Sequence, residues 1–323
     1  MTQKFIGLMS GTSRDSLDGC LVSFEGGFNF LQGETISFDK EYKTSNNQNY
    51  VEKHISEKSV ELIKVLMDKS GVNTEDIAGI AFSGQTISHN DKKSVQAGDP
   101  NYITKKIGLP VHSDFRNADI KRGGRGAPLI PIFHQYLYGS LFNEVLIVNI
   151  GGISNGTYLK NNSIDIGSDI GPGNCLMDKV MTDNHLGSFD IDGKLAGAGK
   201  FDINLLNKFE NALLNLDYPR ADDISLYTSL MHHLDENPVL EISDQLATLV
   251  ELTATKIYEF YLYCNRPSTV IFHGGGVFNK TLMKSIANKL GKFETTENIL
   301  PAKYMEAAAF AYLAYKDLGV IFK

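Results

Sequence analysis

Twice along this 323-residue chain an apolar run enters a glycine-bearing turn and leaves as a second strand-like run, a device that strongly constrains the fold. The first unit runs from Phe5–Met9 through the turn-rich SGTSRDS into Leu17–Phe24, and reads as a β-hairpin. The second runs from Val145–Ile150 through Gly151 and Gly152 to a strand at Thr157–Leu159. Behind the first hairpin, Ile55, Val60, Ile63, Leu66 and Met67 recur at helical spacing over Lys53–Lys69, and Ile77–Phe82 reads as a buried strand. The expected order is β-β-α-β. Behind the second, Ile242–Cys264 carries one continuous apolar helical face, with Ser243 and Asp244 in its first turn. A strand at Thr269–Phe272 then runs into His273, Gly274, Gly275 and Gly276, and a helix starts at about Asn279. The Ala-rich stretch Tyr304–Tyr315 is expected to be a helix that packs back on the first half. The two hairpins share little residue identity, so pseudo-duplication rests on their pattern.

The chain is 42% apolar and 21% charged, the balance of a globular protein, and its length favours two domains over one. With 31 basic against 38 acidic residues the net charge is −7, and no basic block stands out; a nucleic-acid partner is not expected. The start, MTQKFIGLMSGT, has no leader pattern, and the apolar runs fall short of the roughly 20 residues that span a bilayer. No membrane association is expected. Cys20, Cys175 and Cys264 fit neither a disulfide framework nor zinc spacing, which points to a reducing cytoplasm.

Neither G-x-x-x-x-G-K-[ST] nor a strand-borne G-x-G-x-x-G occurs, so a nucleotide site must use another design. Ser10, Gly11, Thr12 and Ser13 offer consecutive N–H groups and hydroxyls at the hairpin tip, while Asp15 and Asp18 are suited to a hydrated magnesium ion. An ordinary polar turn has the same composition. Asn149–Asn155 offers a second bare-backbone site and Gly274–Gly276 a third. Their order along the chain is the order in which a two-lobed kinase wraps phosphate, phosphate and adenosine. Asp169 is expected at a strand end and Pro172 at the start of a helix through Cys175–Met181; Asp169 is then a general base or that helix's N-cap. None of the eight histidines forms H-E-x-x-H, and the adjacent His232 and His233 are expected to diverge on a helix, which makes histidine-based metal catalysis improbable.

The segments GLMSGTSRDSLDGCLV, GQTISH, GDPNYITKKIGLPVHSDFRNADIKRGGRGAPLIPIFH, NIGGISN, DIGPGNCLMD and HGGGVFNKTLM together resemble the 1,6-anhydro-N-acetylmuramic acid kinases, from Gly7 to about Ala314. The resemblance implies a two-lobed α/β architecture of the actin/hexokinase-like class, a duplicated ribonuclease H-like sugar kinase fold. One lobe would hold residues 1–127 plus about 302–323, the other 128–301. It implies ATP with Mg2+, and a reaction that opens the 1,6-anhydro ring with water and phosphorylates O6, giving N-acetylmuramic acid 6-phosphate and ADP in peptidoglycan recycling. It further implies a cytoplasmic homodimer whose partners are ATP and a small amino sugar.

Residue by residue, Gly11, Thr12, Ser13, Asp15 and Asp18 match the family's ATP phosphate motif, with Gly151 and Gly152 on the second hairpin, and Gly274, Gly275, Gly276 and Asn279 match its adenosine-side loop. Asp169 matches the catalytic base. Gln85, Thr86, His89, Asp114, Arg116, Gly171, Asn174 and Glu306 are implied on the substrate side, with Arg116 suited to a lactyl carboxylate. A charge network over Asp114–Asp119 that fixes a loop is the structural alternative. Departures from the family pattern are Arg14 for an apolar residue, Ser16 for a glycine that would tolerate positive φ, Ser168 and Ile170 around Asp169, and Tyr218–Asp223 in place of Pro-Lys-Ser-Thr-Gly. They leave open a same-fold kinase for another amino sugar, and a catalytically silent nucleotide-binding paralogue.

Overall fold

The computed structural model describes residues 3–11, 14–90, 92–214, 216–236 and 240–323, which form two compact units, one up to Phe133 together with Ile299–Lys323 and the other His134–Asn298.

The first unit is built on a mixed sheet. Strands β1 (Lys4–Ser10), β2 (Ser16–Ser23) and β3 (Asn29–Ser37) form an antiparallel meander, with Gly7 opposite Cys20 and Asp18 opposite Thr35. Strand β4 (Ile77–Asn90) runs parallel to β1, β5 (Lys93–Ala97) folds back on its far end, and β6 (Val111–Ser113) lies parallel to β4. The order β6-β4-β1-β2-β3 follows. The expected β-β-α-β order omits β3, and the reason is physical: β3 is a sheet edge with no fully buried residue, so it lacks the apolar run by which a strand is read.

In the second unit, β7 (Glu144–Ile150), β8 (Ile153–Lys160) and β9 (Ser163–Pro172) form the corresponding meander. Strands β10 (Val270–His273) and β11 (Glu294–Thr295) add in parallel beside β7, giving β11-β10-β7-β8-β9. The two orders are the same, so the duplication seen weakly in sequence is a duplication of topology. Pro172 ends β9 and does not start a helix; the following helix is Cys175–Asp183, with Asn174 at its N-cap. The last strand, β12 (Val320–Phe322), returns to the first unit, antiparallel to β6.

Each sheet is covered by the helices its sequence calls for. Ile55, Leu62, Ile63 and Leu66 of the helix Gln48–Ser70 bury against Ile6, Leu8 and Leu21. In the second unit Leu246, Leu249, Val250, Ile257 and Phe260 of the helix Ile242–Tyr263 join Tyr158 and Ile170. The helix Met305–Tyr315 is buried nearly all round, as its alanines predict, and packs on β1, β2 and β4. Its approach to β1 is extreme: a Cβ at Gly7 would lie 1.9 Å from the carbonyl oxygen of Ala307. The cysteines are unpaired thiols and all buried, Cys20 in the first unit, Cys175 and Cys264 in the second. Among the described residues no helix is long and apolar enough to cross a membrane.

Because backbone rather than a flexible side chain fills the space over Gly7, Gly7→Ala is expected to lower unfolding stability by about 3 kcal/mol, the upper end for overpacking. Urea denaturation checks this against Gly26→Ala, where a Cβ meets nothing within 4 Å and only the cost of a positive φ remains.

Candidate active site

The first hairpin tip is fixed from beneath by Gln85. This residue is fully buried; its Oε1 accepts from the Ser10 hydroxyl at 2.7 Å and its Nε2 donates to the Gly11 carbonyl at 3.1 Å. Gln85 is thus committed to shaping the turn. Thr12 and Ser13 lie outside the described residues. Arg14 adopts φ 55°, and its guanidinium donates to the Ser45 carbonyl at 2.8 Å. Ser16, standing where the family glycine would tolerate positive φ, opens β2 in ordinary register with Ser37. Asp15 accepts from Lys43 at 2.8 Å.

Asp18 projects from the middle of the meander, where the Thr35 hydroxyl donates to it at 2.6 Å and Lys303 stands 3.6 Å away. Burial raises its pKa against both partners. Glu306, in the first turn of the helix on β1, is pushed up to about 7 by burial, with Arg116 opposing and Asp18 reinforcing the shift. Two carboxylates thus share one poorly solvated region beside Lys303 and Arg116, while Asp15 is paired with Lys43. That donor set suits Mg2+.

Arg116 donates to the Gly126 carbonyl at 3.0 Å, and Asp119 accepts from the Gly126 N–H at 2.8 Å, so the pair fixes the loop after the helix Phe115–Lys121. A Cβ at Gly126 would come within 3.1 Å of the His89 ring. Asp114, at φ 52°, accepts from Asn117 at 2.6 Å, and Asn117 also donates to the Ser94 carbonyl of β5. Thr86 sits beside them on β4, paired with Gln96. The fold therefore gathers His89, Arg116, Glu306 and Asp18, with Asp114 bonded locally to Asn117 and Asp119 to the Gly126 loop.

In the second unit the tip at Gly151 and Gly152 is sewn to the next helix: their carbonyls accept from the N–H groups of Asn174 at 2.8 Å and Gly173 at 2.9 Å. A Cβ at Gly173 would lie 2.2 Å from the Gly151 oxygen. Gly171 lies on β9 opposite Ser154, with Lys256 packed over it. Gly274, at φ 89°, comes so close to β7 that a Cβ would fall 2.2 Å from Asn149 Oδ1; Gly276 is packed equally hard on Ile150, whereas a Cβ at Gly275 would meet nothing within 4 Å. Asn279 caps the helix Lys280–Leu290 by accepting from the Leu282 N–H at 3.0 Å. His273 is buried with its Nε2 3.1 Å from that of His134; burial takes His273 down to about 3 and His134 well below its usual value, so both are neutral near pH 7.

Asp169 lies within β9, and because Asn174 is the N-cap of the following helix, Asp169 does not cap it. Its Oδ2 accepts from the Asp222 N–H at 2.7 Å, and its own N–H donates to the Arg220 carbonyl at 2.9 Å. Arg220 in turn bonds Asp222 at 2.8 Å and the carbonyls of Leu216 and Ile170, and lies over the Tyr218 ring, while the Tyr227 hydroxyl donates to Asp222. Tyr218–Asp223, noted in sequence only as a departure, is the brace of Asp169. The signal was the spacing of Arg220 and Asp222 between two aromatic residues.

The family model for anhydro-N-acetylmuramic acid kinase matches residues 3–321. The chain belongs to the anhydro-N-acetylmuramic acid kinase family. Curated relatives of that name from Shewanella baltica (strain OS155) and Shewanella woodyi are 33% and 32% identical, over 97% of this chain and 91% of theirs. Anhydro-N-acetylmuramic acid kinases are phosphotransferases acting on an alcohol group. Among solved structures, component A of (R)-2-hydroxyglutaryl-CoA dehydratase from Acidaminococcus fermentans is similar at a TM-score of 0.53 and 12% identity, covering 98% of this chain and 99% of that one. The activator of 2-hydroxyisocaproyl-CoA dehydratase from Clostridium difficile is similar at 0.51 and 13%, covering 98% and 96%. Such identities speak to the fold alone. This family member has the actin/hexokinase-like fold, two α/β units on one repeated sheet order.

Two outcomes are expected of the purified protein without magnesium. Folded Glu306 keeps its proton up to about pH 7 against an ordinary value of 4.5, so the folded state binds more protons in that window and stability falls as pH rises through it. Glu306→Gln should match the wild type near pH 4 and exceed it by roughly 3 kcal/mol at pH 8, as read from urea midpoints. Arg220 and Asp222 have side chains only 12% and 6% exposed, so Asp222→Ala should cost about 3 kcal/mol by leaving a buried guanidinium without its carboxylate, measured in the same titration.

Proposed function

We propose that this chain is an ATP- and Mg2+-dependent kinase that adds water across the 1,6-anhydro bridge of 1,6-anhydro-N-acetylmuramic acid and phosphorylates O6. The products are N-acetylmuramic acid 6-phosphate and ADP, in the recycling of cell-wall peptidoglycan. The observation that carries this reading is a family match running through residues 3–321, with the carboxylate at the base position, Asp169, oriented by a backbone N–H.

In this reading Asp169 accepts a proton from water as the water oxygen bonds C1. The C1–O6 bond breaks with its electron pair on O6, O6 bonds the γ-phosphorus, and the bond from that phosphorus to the β,γ-bridging oxygen breaks to release ADP. O6 leaves toward phosphorus, so no separate general acid is needed. The turn at Gly11, shaped by Gln85, and the glycines at Gly151, Gly152 and Gly274–Gly276 offer bare backbone to the nucleotide. Asp18 and Glu306 would hold Mg2+, which when bound neutralises charge on the transferring phosphoryl group. Arg116 restrains Glu306 electrostatically and is the candidate partner of the lactyl carboxylate.

A different amino sugar is the second reading, favoured by the Arg220–Asp222–Tyr227 brace standing where the family has Pro-Lys-Ser-Thr-Gly. The cytoplasmic setting and homodimer are part of the proposal. Buried thiols agree with the first, and the exposed apolar side chains of Leu186, Phe189, Ile191, Phe201 and Ile203 with the second.

The test is ADP release with 1,6-anhydro-N-acetylmuramic acid, ATP and magnesium, with mass identification of the product. Wild type should add water and one phosphoryl group to the sugar, and Asp169→Asn should lose about 10²–10⁴-fold in turnover while still binding ATP. ATP binding without turnover on this sugar, but with turnover on another in a panel, transfers the assignment to the second reading.

A further inference from the structure

The helical run that follows the Asp169 brace carries a group of side chains that the phosphoryl-transfer chemistry does not use. It comprises Ile224–Thr228, Ser229–Met231 and His232–Asp235, and the junction residues Thr228, Ser229, Met231, His232 and Glu236 all keep right-handed helical backbone angles. Residues three and four apart on such a run share a face. Glu236 therefore stands beside both His233 and His232. The two imidazoles, expected to diverge, have ring centroids 4.0 Å apart.

We propose that His232, His233 and Glu236 form a binding site for a first-row divalent transition-metal ion of the zinc type. One ligand atom from each residue lies within 4.8 Å of the others, close enough for one ion to reach all three. The site is organised beyond its ligands. His232 Nδ1 lies 2.8 Å from the Ser229 carbonyl; as an N–H donor there, it leaves the Nε2 lone pair as the metal-binding atom, the carbonyl–histidine arrangement typical of metal sites. The His233 ring is set edge-on to Phe209 at 5.6 Å and 89°, which restrains its plane. Leu230 and Leu234 anchor the run in the core of the second unit.

The donor set selects the ion. Two imidazoles and one carboxylate are the ligands of a three-residue zinc site whose remaining position is taken by water, whereas Mg2+ and Ca2+ prefer all-oxygen shells. Glu236 is held by Lys208 at 2.9 Å, so metal binding displaces the ammonium or uses the other carboxylate oxygen. The ion fastens the C-terminal end of a run whose other end holds Tyr227 against Asp222, and a ligand bound only by the folded state raises stability.

The test uses the untagged full-length protein, stripped with chelator and dialysed, then titrated with zinc chloride by calorimetry and by thermal melting at neutral pH. The expected result is one zinc per chain, a raised melting temperature that is lost in both His232→Ala and Glu236→Gln, and at least tenfold weaker zinc binding in both variants. His232 and Glu236 are exposed, so both variants are expected to fold, which circular dichroism checks; His185→Ala, at another exposed histidine, should bind like the wild type. Absence of stoichiometric zinc binding, or unchanged affinity in the two ligand variants, overturns the proposal.

Discussion

The absence of a side chain at Gly7 is the constraint on which the first unit depends. With only hydrogen on that Cα, the helix Met305–Tyr315 lies with its backbone directly on β1, and its first turn delivers Glu306 to the neighbourhood of Asp18 on β2. The same device recurs in the second unit, where Gly274 and Gly276 press against Asn149 and Ile150 at the end of β7. Bare backbone at these positions admits close packing, whereas Gly275, with open space above it, is not held in this way.

The cost of such packing is electrostatic. Asp18 and Glu306 are drawn into a region where neither ionises readily, and Lys303 and Arg116 compensate only in part. A core optimised for stability alone would not place two carboxylates this way. In the proposed function these two carboxylates receive the cation, and Asp15, already matched to Lys43, does not. In the second unit the economy differs: Arg220, Asp222 and Tyr227 satisfy one another, and Asp169 is positioned by the backbone between them.

The sequence made legible those features that local chemistry dictates. The two hairpins, the helices Gln48–Ser70 and Ile242–Tyr263, and the strand before Gly274 all announce themselves by apolar period and turn residues. What escaped reading depends on partners distant along the chain. β3 is a polar edge whose pairing with β2 defines it; Pro172 closes a strand because β8 pairs with it; Gln85 is a turn support only once β4 lies beside β1. The convergence of His232 and His233 was missed for a local reason, since adjacency was weighed without Glu236 one turn on. Arg14 shows the limit most plainly: its positive φ and its tie to the Ser45 carbonyl depend on a segment some thirty residues on.

The buried cysteines carry a consequence of another kind. Burial pushes the thiols of Cys175 and Cys264 up to about 12 and that of Cys20 higher still, so in the folded protein none offers thiolate to an alkylating reagent. Modification must wait for an opening event, and its rate then measures how often that event occurs. Cys20 belongs to one unit and Cys175 and Cys264 to the other, so mapping the alkylated positions over time distinguishes the breathing of each unit separately. The chain thus carries its own pair of clocks, one in each half of the duplication, with no label to be introduced.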